Sequence, residues 1–171
     1  MKSLILSALL VPALLAIAPA RGAEPPALPE FMATDLASSP VASSELAFNG
    51  NWMLVVLDAG LPSARRFLDA LGSKKDRFGD NVVILALGDA VQLEQLRTAY
   101  AQLGDVRWLR SQDAGLLTAL GLTGVPARIA MRADGRVAHR RAGLGRGPED
   151  VAQQVRAWAG VLPGQAEDAR P

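Results

Sequence analysis

Uninterrupted apolar runs alternate along this chain with segments whose apolar residues recur every three or four positions. The runs at 52–57 (WMLVVL) and 81–87 (NVVILAL) contain no charged residue, which is typical of strands buried on both faces of a parallel sheet. After the first run and Gly60, Pro62 stands where the first turn of a helix tolerates proline. The apolar residues that follow at helical spacing are Leu61, Ala64, Phe67, Leu68 and Leu71. The pattern predicts a strand, a tight turn and the start of a helix.

The rest of the chain continues this alternation. Asp89 is a predicted N-cap for a helix to about Leu103, with apolar positions at Val91, Leu93, Leu96 and Tyr100. The remaining predicted elements are a short strand at 105–110, a short helix at 113–120, a strand at 127–131, a two-residue Asp134-Gly135 hairpin, a strand at 136–141 and a helix at 149–161 after Pro148. The order β-α-β-α-(β)-α-β-β-α predicts an α/β fold with a mixed sheet and helices on both faces.

The two ends of the chain differ in composition from the middle. Residues 1–23 combine Lys2, an apolar run and an Ala18-Pro19-Ala20 pattern, which predicts a cleavable secretory signal peptide and a periplasmic protein. An uncleaved membrane anchor is the alternative, although the run is short for a membrane span. The remaining predicted parts are a Pro/Ser-rich tail at 24–44 with a short strand near Phe31, one domain at 45–162 and a flexible tail at 163–171.

Composition narrows the classes of function. The chain has 171 residues, which suits one domain of ordinary size, and 18 Lys+Arg against 17 Asp+Glu give a formal net charge of +1. This balance does not favour nucleic-acid binding. One histidine and no cysteine argue against structural zinc and exclude disulfides. We expect no metal and no cofactor.

Two motifs resemble the thioredoxin-like superfamily. Leu61-Pro62-Ser63-Ala64 resembles its Cys-Pro-x-Cys turn, with leucine and alanine in place of the cysteines. Gly124-Val125-Pro126, directly before a strand and hairpin, resembles the segment that places a cis-proline beside that turn. The resemblance covers roughly 45–162 and is nearest in style to the TlpA and cytochrome-maturation branch. It implies a thioredoxin-like fold.

The resemblance does not imply that this chain performs the family's thiol–disulfide exchange. Leu61 would replace the exposed attacking cysteine and Ala64 the buried resolving one, whereas thiol–disulfide exchange requires a thiolate. Ser63 lacks an evident base. His139 is predicted to lie on the returning strand away from the turn, and Asp58 is predicted to form a turn or cap. We therefore expect a redox-inactive protein with no catalytic residue.

What the resemblance leaves is a groove with exposed backbone groups, where an extended peptide can add as a strand. The predicted groove residues are Gly60, Leu61, Pro62, Ser63, Ala64, Gly124, Val125 and Pro126. The expected partner is a protein or peptide in an envelope assembly, such as cytochrome maturation, secretion or conjugation. Alternatively Leu61 packs against Trp52 or Val125. Two other hypotheses stay open, a non-redox enzyme that uses the helix N-terminus after Gly60, and a decayed oxidoreductase with only a structural role.

Overall fold

The described residues of this computed structural model, 25–72 and 78–160, form a seven-stranded mixed sheet. Its strands are β1 (Met32–Thr34), β2 (Pro40–Ala42), β3 (Trp52–Asp58), β4 (Val82–Leu87), β5 (Arg107–Ser111), β6 (Ala127–Met131) and β7 (Val137–Ala142). Their spatial order is β2-β1-β5-β4-β3-β6-β7. The neighbours β3, β4 and β5 are parallel, whereas β6 is antiparallel to both β3 and β7. The predicted α/β fold with a mixed sheet is confirmed.

Four α-helices in the described residues cover the sheet. They are α1 (Pro62–Leu71), α2 (Ala90–Ala99), α3 (Leu116–Ala119) and α4 (Pro148–Ala159). Helices α1 and α2 connect neighbouring parallel strands, and right-handed crossovers of this kind place successive helices on one face. Helix α4 packs on the same face, while α3 contributes to the core of the other. Helices therefore lie on both faces, as predicted.

Strand β3 contributes to both cores because successive side chains point to opposite faces. Met53, Val55 and Leu57 pack with α1, α2 and α4. The alternate residues of the strand pack with α3 and the N-terminal segment; they are Trp52, Leu54 and Val56. All six side chains are buried, which explains the uninterrupted apolar run in the sequence.

The N-terminal segment is more regular than the predicted tail with one short strand. β1 and β2 form an antiparallel hairpin, and β1 adds to the edge of β5. This segment enters the sheet because Phe31, Ala33 and Val41 are buried in the second core. The predicted signal peptide at 1–23 and the tail at 163–171 lie outside the described residues. Within those residues, none of the helices has the length and hydrophobicity that crossing a membrane requires.

Three local predictions need correction. Helix α2 ends at Ala99 and continues only as a 3-10 turn at Ala101–Leu103. Val91 is 65% exposed and does not join the buried positions of α2. The Asp134-Gly135 hairpin is a three-residue loop rather than a two-residue one, because Arg132 pairs with Arg136 and Gly135 takes the left-handed conformation at φ 78°.

Candidate functional site

The turn between β3 and α1 is held by the side chain of Asp58. Its Oδ1 accepts a hydrogen bond from the backbone N–H of Gly60 at 2.9 Å, and its carbonyl accepts one from Leu61 N–H at 3.1 Å. Asp58 therefore forms the turn, as predicted. Leu61 is the extended N-cap residue of α1, and Pro62 follows in the first turn. Proline fits there because the first helical N–H has no intrahelical partner.

The two positions that correspond to the family's cysteines differ in burial. Ala64 is buried in the core of the α1 face, whereas Leu61 is 44% exposed. Trp52 lies at the other end of β3 from this turn, so it is not the residue that covers Leu61. An exposed leucine at the start of a helix presents apolar surface to solvent.

The Gly124-Val125-Pro126 segment reaches the same edge of the sheet. The Val125–Pro126 bond is cis. Antiparallel pairing of Val56 with Ala127 places the proline at the carboxyl end of β3, where the turn to α1 begins. The Pro126 carbonyl accepts a hydrogen bond from Gly143 at 2.7 Å. The structure thus brings both motifs of the predicted groove to one place in the fold.

Backbone groups in this segment are left without partners. Among the described residues, no hydrogen bond involves the N–H or C=O of Gly124 or Val125. Both residues are only partly buried, and the Val125 side chain packs against the second core. Unpaired backbone groups at a surface are the groups that an added strand can bind.

The sequence did not indicate that the first turn of α2 adjoins this groove. A Cβ on Gly60 would lie 3.2 Å from Gln92 Nε2, and Gln92 completes a capping box with Asp89. The exposed Val91 precedes Gln92. The sequence contained one indication that Val91 is exposed, because Val91 does not fall on the helical spacing of Leu93 and Leu96.

A shallow cavity of about 390 Å³ lies beyond this turn at the carboxyl ends of β4 and β5. Its lining residues are Leu87, Gly88, Ser111, Gln112, Asp113, Ala114 and Leu117. The cavity extends the surface at the edge where ligands bind in many α/β folds. Pattern analysis gave no indication of it, because its walls come from separate elements.

The carboxylate in this turn is that of Asp58, and its Oδ1 accepts the hydrogen bond from Gly60. Ser63 lies in the first turn of α1 and is partly buried. Among the described residues, no group of three His, Cys, Asp or Glu residues is placed to hold a metal ion.

His139 lies on β7, and its ring meets Trp158 edge-on at 5.3 Å. Burial and the charges of Arg141 and Arg128 lower the pKa of His139. The histidine is therefore an exposed residue of β7 whose ring contacts α4, away from the turn.

Solved structures similar to this chain include proteins described as thiol–disulfide oxidoreductases. DsbF from MTB aligns over 79% of this chain and 99% of its own, with a TM-score of 0.59 and 17% identity. A putative thiol:disulfide interchange protein DsbE from Chlorobium tepidum aligns over 80% and 97%, with 0.60 and 14%. A secreted Mycobacterium tuberculosis disulfide oxidoreductase homologous to E. coli DsbE aligns over 74% and 95%, with 0.54 and 18%. No protein-family model and no curated protein matches the chain.

These similarities confirm the thioredoxin-like fold. The chain itself contains no cysteine, so it has no thiolate to attack a disulfide. The chain combines the fold of a thiol–disulfide oxidoreductase with a turn that lacks the redox groups.

Proposed function

We propose that this protein is an exported, redox-inactive thioredoxin-like protein that binds an extended peptide segment of a partner protein. The binding site is the groove formed by Gly60–Ala64 and Gly124–Pro126. The observation that carries the proposal is the exposed Leu61 at the same edge of the sheet as the unpaired backbone of Gly124 and Val125. An apolar side chain and free hydrogen-bonding groups are the two components of strand addition.

Each component has a separate role in this binding. The backbone N–H and C=O of Val125 pair with the peptide main chain and fix its direction. Leu61 contributes apolar area, at roughly 25 cal/mol for each Å² that the peptide covers. Since an extended peptide alternates its side chains between two faces, every second residue points toward α1. We therefore expect a preference for apolar residues at alternate positions.

We infer export from the sequence, and the description of one structurally similar protein agrees with it. Residues 1–23 carry the pattern of a signal peptide, and one structural neighbour is described as a secreted disulfide oxidoreductase. In the periplasm, a cysteine-less thioredoxin-like domain holds a partner without oxidising or reducing it. This suits an accessory or scaffold subunit of an envelope assembly.

Site-specific photo-crosslinking in the native envelope tests the proposal. A photoreactive residue at position 61 is expected to give one predominant crosslinked protein. A synthetic peptide with the sequence of the crosslinked segment of that protein is expected to compete with it and reduce crosslinking. Position 36 is the matched control, because Leu36 is 50% exposed but lies in the loop between β1 and β2.

Substitution completes the test. Leu61→Asp is expected to abolish binding of the identified peptide, because it places a charge in an apolar contact, while Leu36→Asp leaves binding unchanged. Equal crosslinking from positions 61 and 36, or full binding by Leu61→Asp, would contradict the groove as the binding site. If Leu61→Ser and Val125→Ser also leave every assayed phenotype unchanged, a structural role alone is the better account.

A further inference from the structure

Arg128 is a buried arginine whose hydrogen bonding is incomplete. It lies on β6, two residues after Pro126, and is 2% exposed. Its Nη2 donates to the Gly143 carbonyl at 3.4 Å, whereas Nε and Nη1 have no hydrogen-bond partner in the described structure. Its Cζ lies 5.7 Å from the centre of the Phe67 ring. A buried cation in this state requires a compensating anion nearby.

The charges around Arg128 do not balance it. Arg141 stands directly opposite on β7, on the same face of the sheet, where like charges repel. Burial, together with the charge of Arg141, lowers the pKa of Arg128, and Asp150 opposes this. The Asp150 carboxylate already accepts hydrogen bonds from Arg146 N–H and Gln154. The carboxylate of Asp150 is therefore shared between these two neutral donors and the charges of Arg128 and Arg141.

A cavity of about 480 Å³ lies next to this cluster, between α1 and the loop from β7 to α4. Its lining residues are Arg66, Asp69, Ala70, Leu144, Gly145, Arg146 and Gly147. Gly145 lies between the cavity and two charged groups, since a Cβ there would lie 2.6 Å from Asp150 Oδ2 and 3.6 Å from Arg128 Nη2. Asp69 is engaged by the Tyr100 hydroxyl at 2.8 Å.

The N-terminus of α4 opens into the same cavity. Gly147 is its N-cap residue and makes no side-chain capping hydrogen bond. The N-terminus of a twelve-residue helix carries a partial positive charge. Arg66, Arg146 and this helix end are therefore positive groups at the cavity, and Asp69 is a negative group there. Behind Gly145 lie the opposite charges of Asp150 and Arg128.

We propose that this cavity binds an anion that carries carboxylate groups. Arg66 and Arg146 contact the ligand, and Arg128, behind Gly145, offsets the negative charge of Asp150, which would otherwise repel it. Ala70 and Leu144 accommodate a short apolar chain between the charged groups. The carboxylates come from a small free dicarboxylate or from acidic side chains of a bound protein. The proposal does not depend on the groove at Leu61.

Succinate is the probe, and the purified protein is titrated with it at constant ionic strength. We expect the melting temperature to rise by about 4 °C at ten times the dissociation constant. Sodium chloride at equal ionic strength and the neutral analogue succinamide are expected to give no rise. In ¹⁵N-resolved NMR spectra, the Nε–H signal of Arg128 is expected to shift during the titration.

Four variants connect the response to the site. Arg66→Gln and Arg146→Gln each remove a charged hydrogen-bond donor and are expected to weaken succinate binding about tenfold. Arg128→Met is expected to keep or raise the melting temperature without ligand, because it removes an uncompensated buried charge, and to lose most of the response to succinate. Arg132→Gln, in the exposed hairpin of β6 and β7, is the control and keeps full binding.

A second arm identifies the source of the carboxylates. Peptides that contain two glutamates are compared with the same peptides carrying glutamine. A response to succinate indicates a free anion, and a response to the acidic peptide alone indicates a protein partner; both support the proposal. The proposal is overturned if neither probe raises the melting temperature more than the chloride control does. It is also overturned if the variants at Arg66, Arg128 and Arg146 all bind succinate as the wild type does.

Discussion

The groove at Leu61 and the cavity beside Arg128 both include residues of α1 or its N-cap but are built in opposite ways. The groove consists of an exposed apolar side chain, a cis-proline and unpaired backbone groups. The cavity is lined by Arg66 of α1 and Arg146 of the β7–α4 loop and lies beside the buried, partly unbonded guanidinium of Arg128. One surface is therefore defined by apolar and backbone groups, and the other by charged side chains.

Helix α1 connects the two regions. Its first turn, Leu61 to Ala64, forms the groove, and its next turns carry Arg66, Phe67 and Asp69 toward the cavity. A substitution on the buried face of α1 should therefore affect both the groove and the cavity, whereas a substitution at its exposed start should affect only the groove.

The largest effect is expected from Phe67→Ala. Phe67 is fully buried and contacts the Arg128 guanidinium, so truncation removes core packing and leaves the cation against a void. The free energy of unfolding should fall by about 3–5 kcal/mol, measured by urea denaturation. Phe67→Leu is the control and should lose much less. Equal loss in both variants would mean that the aromatic ring itself, and not the apolar volume it fills, is what supports Arg128.

A smaller effect is expected from Tyr100→Phe. The Tyr100 hydroxyl donates to Asp69 and contacts the Arg65 carbonyl at 3.1 Å, fixing α1 to α2. Removing it should lower the free energy of unfolding by about 1 kcal/mol at neutral pH. Succinate binding should weaken in parallel, since Asp69 lines the cavity. Unchanged stability would show that this hydrogen bond does not hold α1.

The same residue predicts an alkaline pH dependence. Burial, followed by the interaction with Asp69, raises the pKa of Tyr100 from 10.0 to about 12. The unfolded state therefore deprotonates first, and this contribution to stability, complete below pH 10, is lost as pH rises toward 12. Because the chain has one tyrosine, tyrosinate absorbance reports this group alone. Tyr100→Phe should show a shallower loss over that interval.

The sequence predicted β3 to β7, the helices and the two motifs that meet at the start of α1, because each depends on local signals. The run at 52–57, Pro62 and the Gly124-Val125-Pro126 segment are each short stretches of sequence that act on their own backbone. The arginine cavity gave no such signal, because Arg66, Arg128 and Arg146 are brought together only by tertiary packing. The burial of Arg128 was also not predicted, because it is a charged residue in a strand of otherwise apolar residues.

The smallest effect on stability, and the sharpest test of the comparison, is expected from Leu61→Ser. Because Leu61 is 44% exposed, the free energy of unfolding should change by no more than about 0.5 kcal/mol. Leu68→Ser, in the buried face of the same helix, should cost several times more, since it buries a hydroxyl and opens a void. Chemical denaturation of both variants measures the difference. If Leu61→Ser loses as much stability as Leu68→Ser, then the Leu61 side chain stabilises the fold itself. The groove would then lack the free apolar surface that a partner needs, and shape alone would not distinguish it from an ordinary turn.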